Sequence, residues 1–151
     1  MSREVTVRGV TLPPLSDPGA NYVMWARSGN ILYVTGQLPK WDNERRFIGK
    51  VGAELDIAQG QQAARLCALN VVTVVRAALD GNLDRVVRCL RVRVFVNGAP
   101  DFNQFSIVGN GASDALIEML GEAGRHTRTT IGATLPYGCA VEVDAEFEVR
   151  D

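Results

Sequence analysis

Two stretches of the chain alternate between apolar and polar positions, which predicts strands with one buried face. Residues 139–149 alternate small or apolar residues with four acidic ones. Residues 86–97 alternate leucine and valine with Arg91, Arg93 and Phe95. A sheet made from these strands would have one apolar face and one face that carries charges of both signs.

Two other stretches place apolar residues at helical spacing. The first predicts a helix from Ile57 to about Asp80, with Asp56 as its N-terminal cap and Gly81 at its end. The second predicts a helix that is capped near Asp101 and is apolar along one face. The apolar residues of this second helix are Phe105, Val108, Ala112, Leu116 and Met119.

Three residues within these helices depart from the helical pattern. Asn70 lies on the apolar stripe of the first helix, and we expect its amide to bond neighbouring backbone. Gly109 and Gly111 lie inside the second helix, where each glycine costs about 1 kcal/mol relative to alanine. We expect a close approach of another backbone to offset that cost.

Shorter stretches complete the predicted fold. Residues 21–27 and 31–35 predict two strands joined by a tight turn, and another strand begins at Arg128, before a turn at 135–138. The order β-β-α-β-α-β-β in one domain, residues 1–151, predicts an α/β two-layer sandwich, a mixed sheet with two helices on one face. The other sheet face would be open, so we expect it to pack against further subunits.

The composition is that of an ordinary globular protein, with 46% hydrophobic and 22% charged residues. A net charge of −1 provides no general positive field for nucleic acid, and no stretch is apolar enough for a membrane span. The charged N-terminus lacks the apolar centre of a signal peptide, and the three cysteines form no Cys-x-x-Cys pair. These features predict a cytoplasmic protein whose cysteines lie in the core.

Residue spacing does not support the familiar metal and nucleophile sites. His126 is the sole histidine and has no carboxylate at ligand spacing, so no metal site is predicted. A Ser-His-Asp triad would lack its usual Gly-x-Ser-x-Gly turn. Arg128 and Glu142 remain, on two strands that flank the 135–138 turn. If these strands pair, the two residues could clamp a substrate carboxylate and activate a water, or form only a cross-strand ion pair.

At these residues the chain resembles the YjgF/RidA family of reactive intermediate deaminases, also called L-PSP endoribonuclease-like proteins. The resemblance extends over nearly the whole chain and indicates a divergent branch of the family. Its marks are Gly19-Ala-Asn-Tyr22, Leu32-Tyr-Val-Thr-Gly-Gln-Leu-Pro39, Ala63-Ala-Arg-Leu-Cys-Ala-Leu-Asn70, Val94-Phe-Val-Asn97, Asp101-Phe102, Leu135-Pro136 and Val141-Glu-Val-Asp144.

The resemblance implies a chorismate-mutase-like fold and a homotrimer in which the sheets form a central barrel. It also implies clefts between subunits that bind a small carboxylate-bearing metabolite. Characterised members hydrolyse the enamines or imines released by pyridoxal-phosphate-dependent dehydratases to a 2-keto acid and ammonia. They need no bound cofactor.

The resemblance also implies roles for individual residues. Arg128 would clamp the substrate carboxylate, and Glu142 would position the attacking water. The segment from Arg128 to Pro136 is one residue shorter than in the family, and a one-residue change turns strand side chains to the other face. Arg125 is therefore the alternative clamp. The substrate-binding residues would be Tyr22, Thr35, Gly36 and Asn110.

Three functions follow as hypotheses. The first is a trimeric hydrolase (deaminase) of 2-aminoacrylate-type enamines or imines. The second is a protein that binds a small carboxylate in the same clefts without chemistry. The third is an endoribonuclease, which the near-neutral charge and the absence of a basic, aromatic strip disfavour.

Overall fold

A five-stranded sheet with two helices on one face forms the centre of the molecule, in a computed structural model that describes residues 4–151. The helices are α1 (Ile57–Ala78) and α2 (Phe105–Leu120). In chain order the strands are β1 (Thr6–Val7), β2 (Val10–Thr11), β3 (Trp25–Ser28), β4 (Ile31–Gln37), β5 (Lys40–Trp41), β6 (Glu44–Arg45), β7 (Val86–Val96), β8 (Thr127–Gly132) and β9 (Val141–Val149).

The strands of the main sheet follow the order β3-β4-β9-β7-β8. Strands β7 and β8 run parallel, and the other neighbouring pairs run antiparallel. This arrangement confirms the predicted two-layer α/β sandwich with a mixed sheet. The hairpins β1–β2 and β5–β6 were not predicted, because each strand is too short to show an alternating pattern.

The apolar core lies between the sheet and the helices. Val92 and Phe147 are fully buried on the inner face of the sheet, and Ala63 and Val71 of α1 are fully buried opposite them. The small side chains of the buried alanines along α1 let the helix lie close to the sheet. All three cysteines are free and buried, as expected.

The caps of α1 agree with the sequence, and the start of α2 does not. Asp56 accepts a hydrogen bond from the Gln59 backbone N–H while the Gln59 side chain bonds back to Asp56, which forms a capping box. The predicted cap at Asp101 is wrong, since α2 begins at Phe105. The preceding residues turn instead, with the Phe102 N–H bonded to the Ala99 carbonyl at 2.9 Å.

The strand at Arg128 does not pair with the last strand, a possibility that the sequence left open. Strand β8 pairs with β7 in parallel, with Arg128 beside Val92, and forms the edge of the sheet. The residues after β8 therefore cross over β7 before β9 begins. Local pattern could not reveal this, because a short connection favours a hairpin and only the whole sheet decides which edge is free.

The close backbone approach expected at the glycines inside α2 is present at Gly111, whereas Gly109 lies against side chains of β8. At Gly111 the two helices meet so closely that a Cβ would overlap the Gln61 carbonyl oxygen and lie 2.9 Å from the Gln61 Cα. At Gly109 a Cβ would lie 3.2 Å from the Arg128 Cζ and 2.9 Å from the Thr130 Oγ1. The missing side chains thus allow α2 to approach both α1 and β8.

The face of the sheet away from the helices carries the predicted charges. The four acidic residues of β9 are half-buried there, and Arg93 pairs with Asp144 at 2.8 Å and with Glu146 at 4.0 Å. Phe95 lies on the same face, opposite Glu142 in the β7–β9 ladder.

Candidate functional site

A cavity of about 510 Å³ opens at one end of β4 and β9. It contains four of the six predicted site residues, namely Tyr22, Thr35, Gly36 and Glu142. Its remaining lining residues come from the Gly19 loop, the segment after β4, the β5–β6 hairpin and the turn before β9, and these are Gly19, Ala20, Leu38, Lys40, Arg45, Pro136 and Tyr137. A volume of this size suits a small metabolite.

Glu142 reaches the cavity because the neighbouring strand has a glycine beside it. The β4–β9 register shifts between Val34 and Gln37, and Gly36 lies within that irregularity. A Cβ at Gly36 would lie 3.0 Å from the Glu142 Cδ and would overlap its Oε2. The carboxylate therefore occupies space that any other residue at position 36 would fill.

The surroundings of Glu142 favour its protonated form. Burial raises the pKa of the Glu142 carboxyl, and the nearby charge of Asp144 raises it further. Asp144 is itself paired with Arg93, whereas no salt bridge reaches Glu142 from any residue in the range 4–151. A carboxyl with a raised pKa and no ion-pair partner is suited to accept and return a proton.

Tyr22 and Thr35 frame the cavity through local hydrogen bonds. The Tyr22 hydroxyl accepts a hydrogen bond from the Gly19 N–H at 3.1 Å, which closes the loop before β3. The Thr35 hydroxyl donates to the Val23 carbonyl at 2.6 Å. Both residues are thus held by their own neighbourhood, and the aromatic ring of Tyr22 is half exposed to the cavity.

The sequence interpretation missed Lys40 and Arg45, which bring two positive charges to the same cavity. They lie opposite each other in the β5–β6 hairpin, whose turn residues Asp42 and Asn43 have φ values of 52° and 64°. Aspartate and asparagine tolerate this left-handed conformation, so the Asp-Asn pair between two short segments was the available signal. Asn70 supports the hairpin, because its amide donates to the Lys40 carbonyl at 2.8 Å.

Arg128 and Asn110, the other two predicted site residues, lie elsewhere. Arg128 shares the inner face of the sheet with Val92, and β7 separates its strand from the strand of Glu142. Its guanidinium donates to the Asn110 Oδ1 at 3.1 Å, to the Ser113 Oγ at 2.9 Å and to the Ser106 carbonyl at 3.1 Å. Arg128 and Glu142 therefore do not meet within one chain.

A hydrogen-bond chain continues from Arg128 to the sole histidine. The His126 Nδ1 lies 2.6 Å from the Gly124 carbonyl, which can only accept, so Nδ1 carries the proton. The His126 Nε2 lies 2.8 Å from the Ser113 Oγ and accepts its hydrogen. Burial lowers the pKa of His126, and the charge of Arg128 lowers it further. His126 is thus a locally bonded, neutral histidine.

Arg125, the alternative clamp, also lies outside the cavity. It is exposed and forms an ion pair with Glu122 one turn earlier, at 3.2 Å.

Among residues 4–151, no helix has the length and apolar character that a membrane span requires. No three or more histidine, cysteine, aspartate or glutamate side chains in that part of the chain are grouped to hold a metal ion.

The chain is similar to several known proteins. A family model described as "YjgF/chorismate mutase-like, putative endoribonuclease" matches residues 1–144. Protein TCP17 of Trypanosoma cruzi is 49% identical over 145 residues, which cover 95% of this chain and 90% of that protein. The crystal structure of Atu1372 from Agrobacterium tumefaciens is 43% identical, with a TM-score of 0.88 over 94% of this chain and 88% of that one. The crystal structure of E. coli TdcF with bound serine is 23% identical and shares the fold, with a TM-score of 0.60 over both whole chains.

Proposed function

Because the chain belongs to the YjgF/chorismate mutase-like family, we propose that it hydrolyses small enamines or imines of the 2-aminoacrylate type in the Glu142 cavity. The products would be a 2-keto acid and ammonia. The observation that carries this proposal is the Glu142 carboxyl, which has a raised pKa, lacks an ion-pair partner within residues 4–151 and lines a cavity of metabolite size.

Glu142 would act as the general base in this reaction. An enamine first takes a proton on carbon to become the imine. The ionised Glu142 then removes a proton from a water as the water oxygen attacks the carbon of the protonated C=N group, which gives a carbinolamine. Glu142 returns this proton to the nitrogen. The C–N bond then breaks as the carbinolamine hydroxyl gives up its proton to the carboxylate and becomes the C=O of the keto acid, and ammonia leaves. Since such imines also hydrolyse in water, holding the water against the substrate is the main contribution required of the protein.

The clamp for the substrate carboxylate is part of the same proposal. Within one chain Arg128 is remote from Glu142, so we propose a homotrimer in which the edge strand β8 of a neighbouring copy brings its Arg128 to the cavity. Three of the five guanidinium N–H groups are used by α2, which leaves two for a carboxylate. Asn110 would hold that guanidinium in place.

The TdcF structure supports a ligand of this class. That relative was crystallised with bound serine, a small molecule with a carboxylate next to an amino-bearing carbon. The substrate proposed here has the same arrangement of carboxylate and nitrogen. We therefore propose that the Glu142 cavity binds small amino-acid-derived metabolites.

The test is to generate 2-aminoacrylate with a serine dehydratase and to measure pyruvate formation with and without this protein. We expect the wild-type protein to accelerate pyruvate release. Glu142→Gln should lower kcat by about 100-fold or more, because the base is removed. The wild-type rate should rise with pH through a pKa above the ordinary glutamate value, since only the ionised carboxyl removes a proton.

Glu146→Gln is the matched control for this test. Glu146 is on the same strand and the same face as Glu142, but it lies near Arg93 and outside the cavity. Full activity in Glu142→Gln would contradict the assignment of the base. Binding of 2-keto acids without any acceleration would instead favour a binding protein.

RNA cleavage, which the family description names, suits this surface less well. The outer face of the sheet carries a row of four acidic residues, and the net charge is −1. Both would repel a phosphate backbone. Ribonuclease activity that co-purifies with the protein and is lost in Glu142→Gln would support this function.

A further inference from the structure

The β5–β6 hairpin holds two positive charges in an arrangement that the fold alone does not explain. Lys40 and Arg45 are direct cross-strand partners, and like charges in that position destabilise a hairpin. Both line the Glu142 cavity. No carboxylate of residues 4–151 lies within 4.0 Å of either charge, so their repulsion has no internal compensation.

The hairpin is also held firmly in place. The Asn70 amide bonds the Lys40 carbonyl from within α1, where Asn70 is almost fully buried. The Arg45 guanidinium lies over the Tyr137 ring, 3.5 Å from its centroid, on the opposite wall of the cavity. These contacts fix the backbone of the hairpin at Lys40 and the guanidinium of Arg45 before a ligand arrives, which lowers the entropic cost of binding an anion.

The two cations are separated from Glu142, although all three line one cavity. No salt bridge joins Glu142 to Lys40 or Arg45, so the acid and the cations bound a space rather than neutralise each other. In the proposed function, Arg128 of a neighbouring copy already holds the substrate carboxylate, so that carboxylate does not require the two positive charges of Lys40 and Arg45. The excess charge matches a ligand with a second acidic group.

We propose that Lys40 and Arg45 bind a second carboxylate of the substrate, so that the cavity prefers imines of dicarboxylic amino acids. This inference rests on the proposed function, in which Arg128 of a neighbouring copy holds the carboxylate next to the C=N bond. The Lys40–Arg45 pair then sets which side chain the substrate carries. Neither residue takes part in the proton transfers, so both determine specificity.

Equilibrium binding of two stable 2-keto acids tests the inference. The probes are 2-oxoglutarate and 2-oxopentanoate, which have the same chain length and differ in the terminal carboxylate. Isothermal titration calorimetry on the full-length wild-type protein should show that 2-oxoglutarate binds about tenfold or more tightly than 2-oxopentanoate, since a charged hydrogen bond has that value. Lys40→Met and Arg45→Met should each reduce this preference by severalfold.

Three variants serve as controls. Arg46→Met removes the neighbouring arginine, which lies over Trp41 and outside the cavity, and it should leave the preference unchanged. Lys40→Arg and Arg45→Lys keep the charge and should keep most of the preference. The two methionine variants should fold, because each removes one of two like charges that repel each other.

Each other outcome overturns the inference. Equal affinity of the wild-type protein for both probes would exclude a second carboxylate site. A preference that persists in Lys40→Met and Arg45→Met would place that site elsewhere. If these variants lose affinity for 2-oxoglutarate and 2-oxopentanoate to the same extent, Lys40 and Arg45 hold the carboxylate that both probes share.

The binding assay separates this inference from the proposed chemistry. If the wild-type protein hydrolyses no imine but still shows the charge-dependent preference, the proposed reaction fails and the specificity site stands. If hydrolysis proceeds equally well with 2-iminopropanoate and 2-iminosuccinate in all variants, the reaction stands and the inference fails.

Discussion

Glu142 and Arg128 each lie against a glycine, but the surroundings of the two charges differ. Arg128 lies on the helix side of the sheet against Gly109, and three acceptors of α2 bind its guanidinium. Glu142 lies on the outer side against Gly36, and its carboxylate has no side-chain hydrogen bond or ion pair within the part of the chain that the structure describes. In both places a missing Cβ makes room for a charge. The charge of Arg128 is hydrogen-bonded by α2, and the charge of Glu142 has no such partner.

The difference indicates what each region contributes. A half-buried charge with several partners stabilises the contact between α2 and β8. A half-buried charge without partners lowers stability, and it is retained where a ligand or a reaction uses it. We therefore expect changes in the Glu142 region to affect activity with little effect on stability, and changes in the Arg128 region to affect stability in addition to the proposed binding of the substrate carboxylate.

Gly36→Ala should have the largest effect. The new Cβ would overlap the Glu142 carboxylate, which must then leave its position in the cavity. We expect kcat/KM for imine hydrolysis to fall by about 100-fold, similar to loss of the base itself. The midpoint of thermal unfolding should change little, because Glu142 can turn towards solvent. Wild-type activity in Gly36→Ala would show that the carboxylate position is unimportant.

Gly109→Ala is the matched substitution in the other region. Its Cβ would lie 3.2 Å from the Arg128 Cζ and 2.9 Å from the Thr130 Oγ1, so the guanidinium must shift from its acceptors. Overpacking of this kind costs about 1–3 kcal/mol, partly offset by the higher helix propensity of alanine. Urea unfolding measures the change. An increase in the free energy of unfolding would contradict this expectation. It would show that the higher helix propensity of alanine outweighs the cost of overpacking against Arg128 and Thr130.

The pH dependence of stability tests the surroundings of His126, which belongs to the Arg128 region. Burial keeps the folded pKa of His126 below its ordinary value of 6.5, so below that pH the unfolded chain binds a proton that the folded chain does not. Stability should therefore fall as pH decreases from 6.5 to the lowered pKa and then become level. The effect should amount to less than about 1 kcal/mol per pH unit, since water still reaches part of the ring.

The variant His126→Asn provides the reference for that measurement. His126 is the sole histidine, so the difference in unfolding free energy between the two proteins isolates its titration from that of the carboxyls. Glu142 has the opposite sign, because its raised pKa makes the fold more favourable as pH falls. If the difference in unfolding free energy between the wild-type protein and His126→Asn is constant from pH 7.5 to 5, His126 is not held in its neutral form by the fold.

Several site residues could be predicted from sequence, and the reasons differ. Tyr22, Thr35 and Gly36 follow from the family resemblance, and the structure brings them to one cavity with Glu142. Lys40 and Arg45 were missed because their hairpin is too short for a periodic signal. Only the tertiary structure brings both residues of that hairpin to the cavity wall.

The sequence by itself determined the two helices, the strands of the main sheet and which face of each is buried. Those properties depend on the spacing of apolar residues over one segment, as the alternation of β9 and the capping box of α1 show. Only the tertiary structure decided the neighbours of each strand. Strand pairing depends on contacts between residues far apart in the chain, and it separated Arg128 from Glu142 while bringing Lys40 and Arg45 towards the acid.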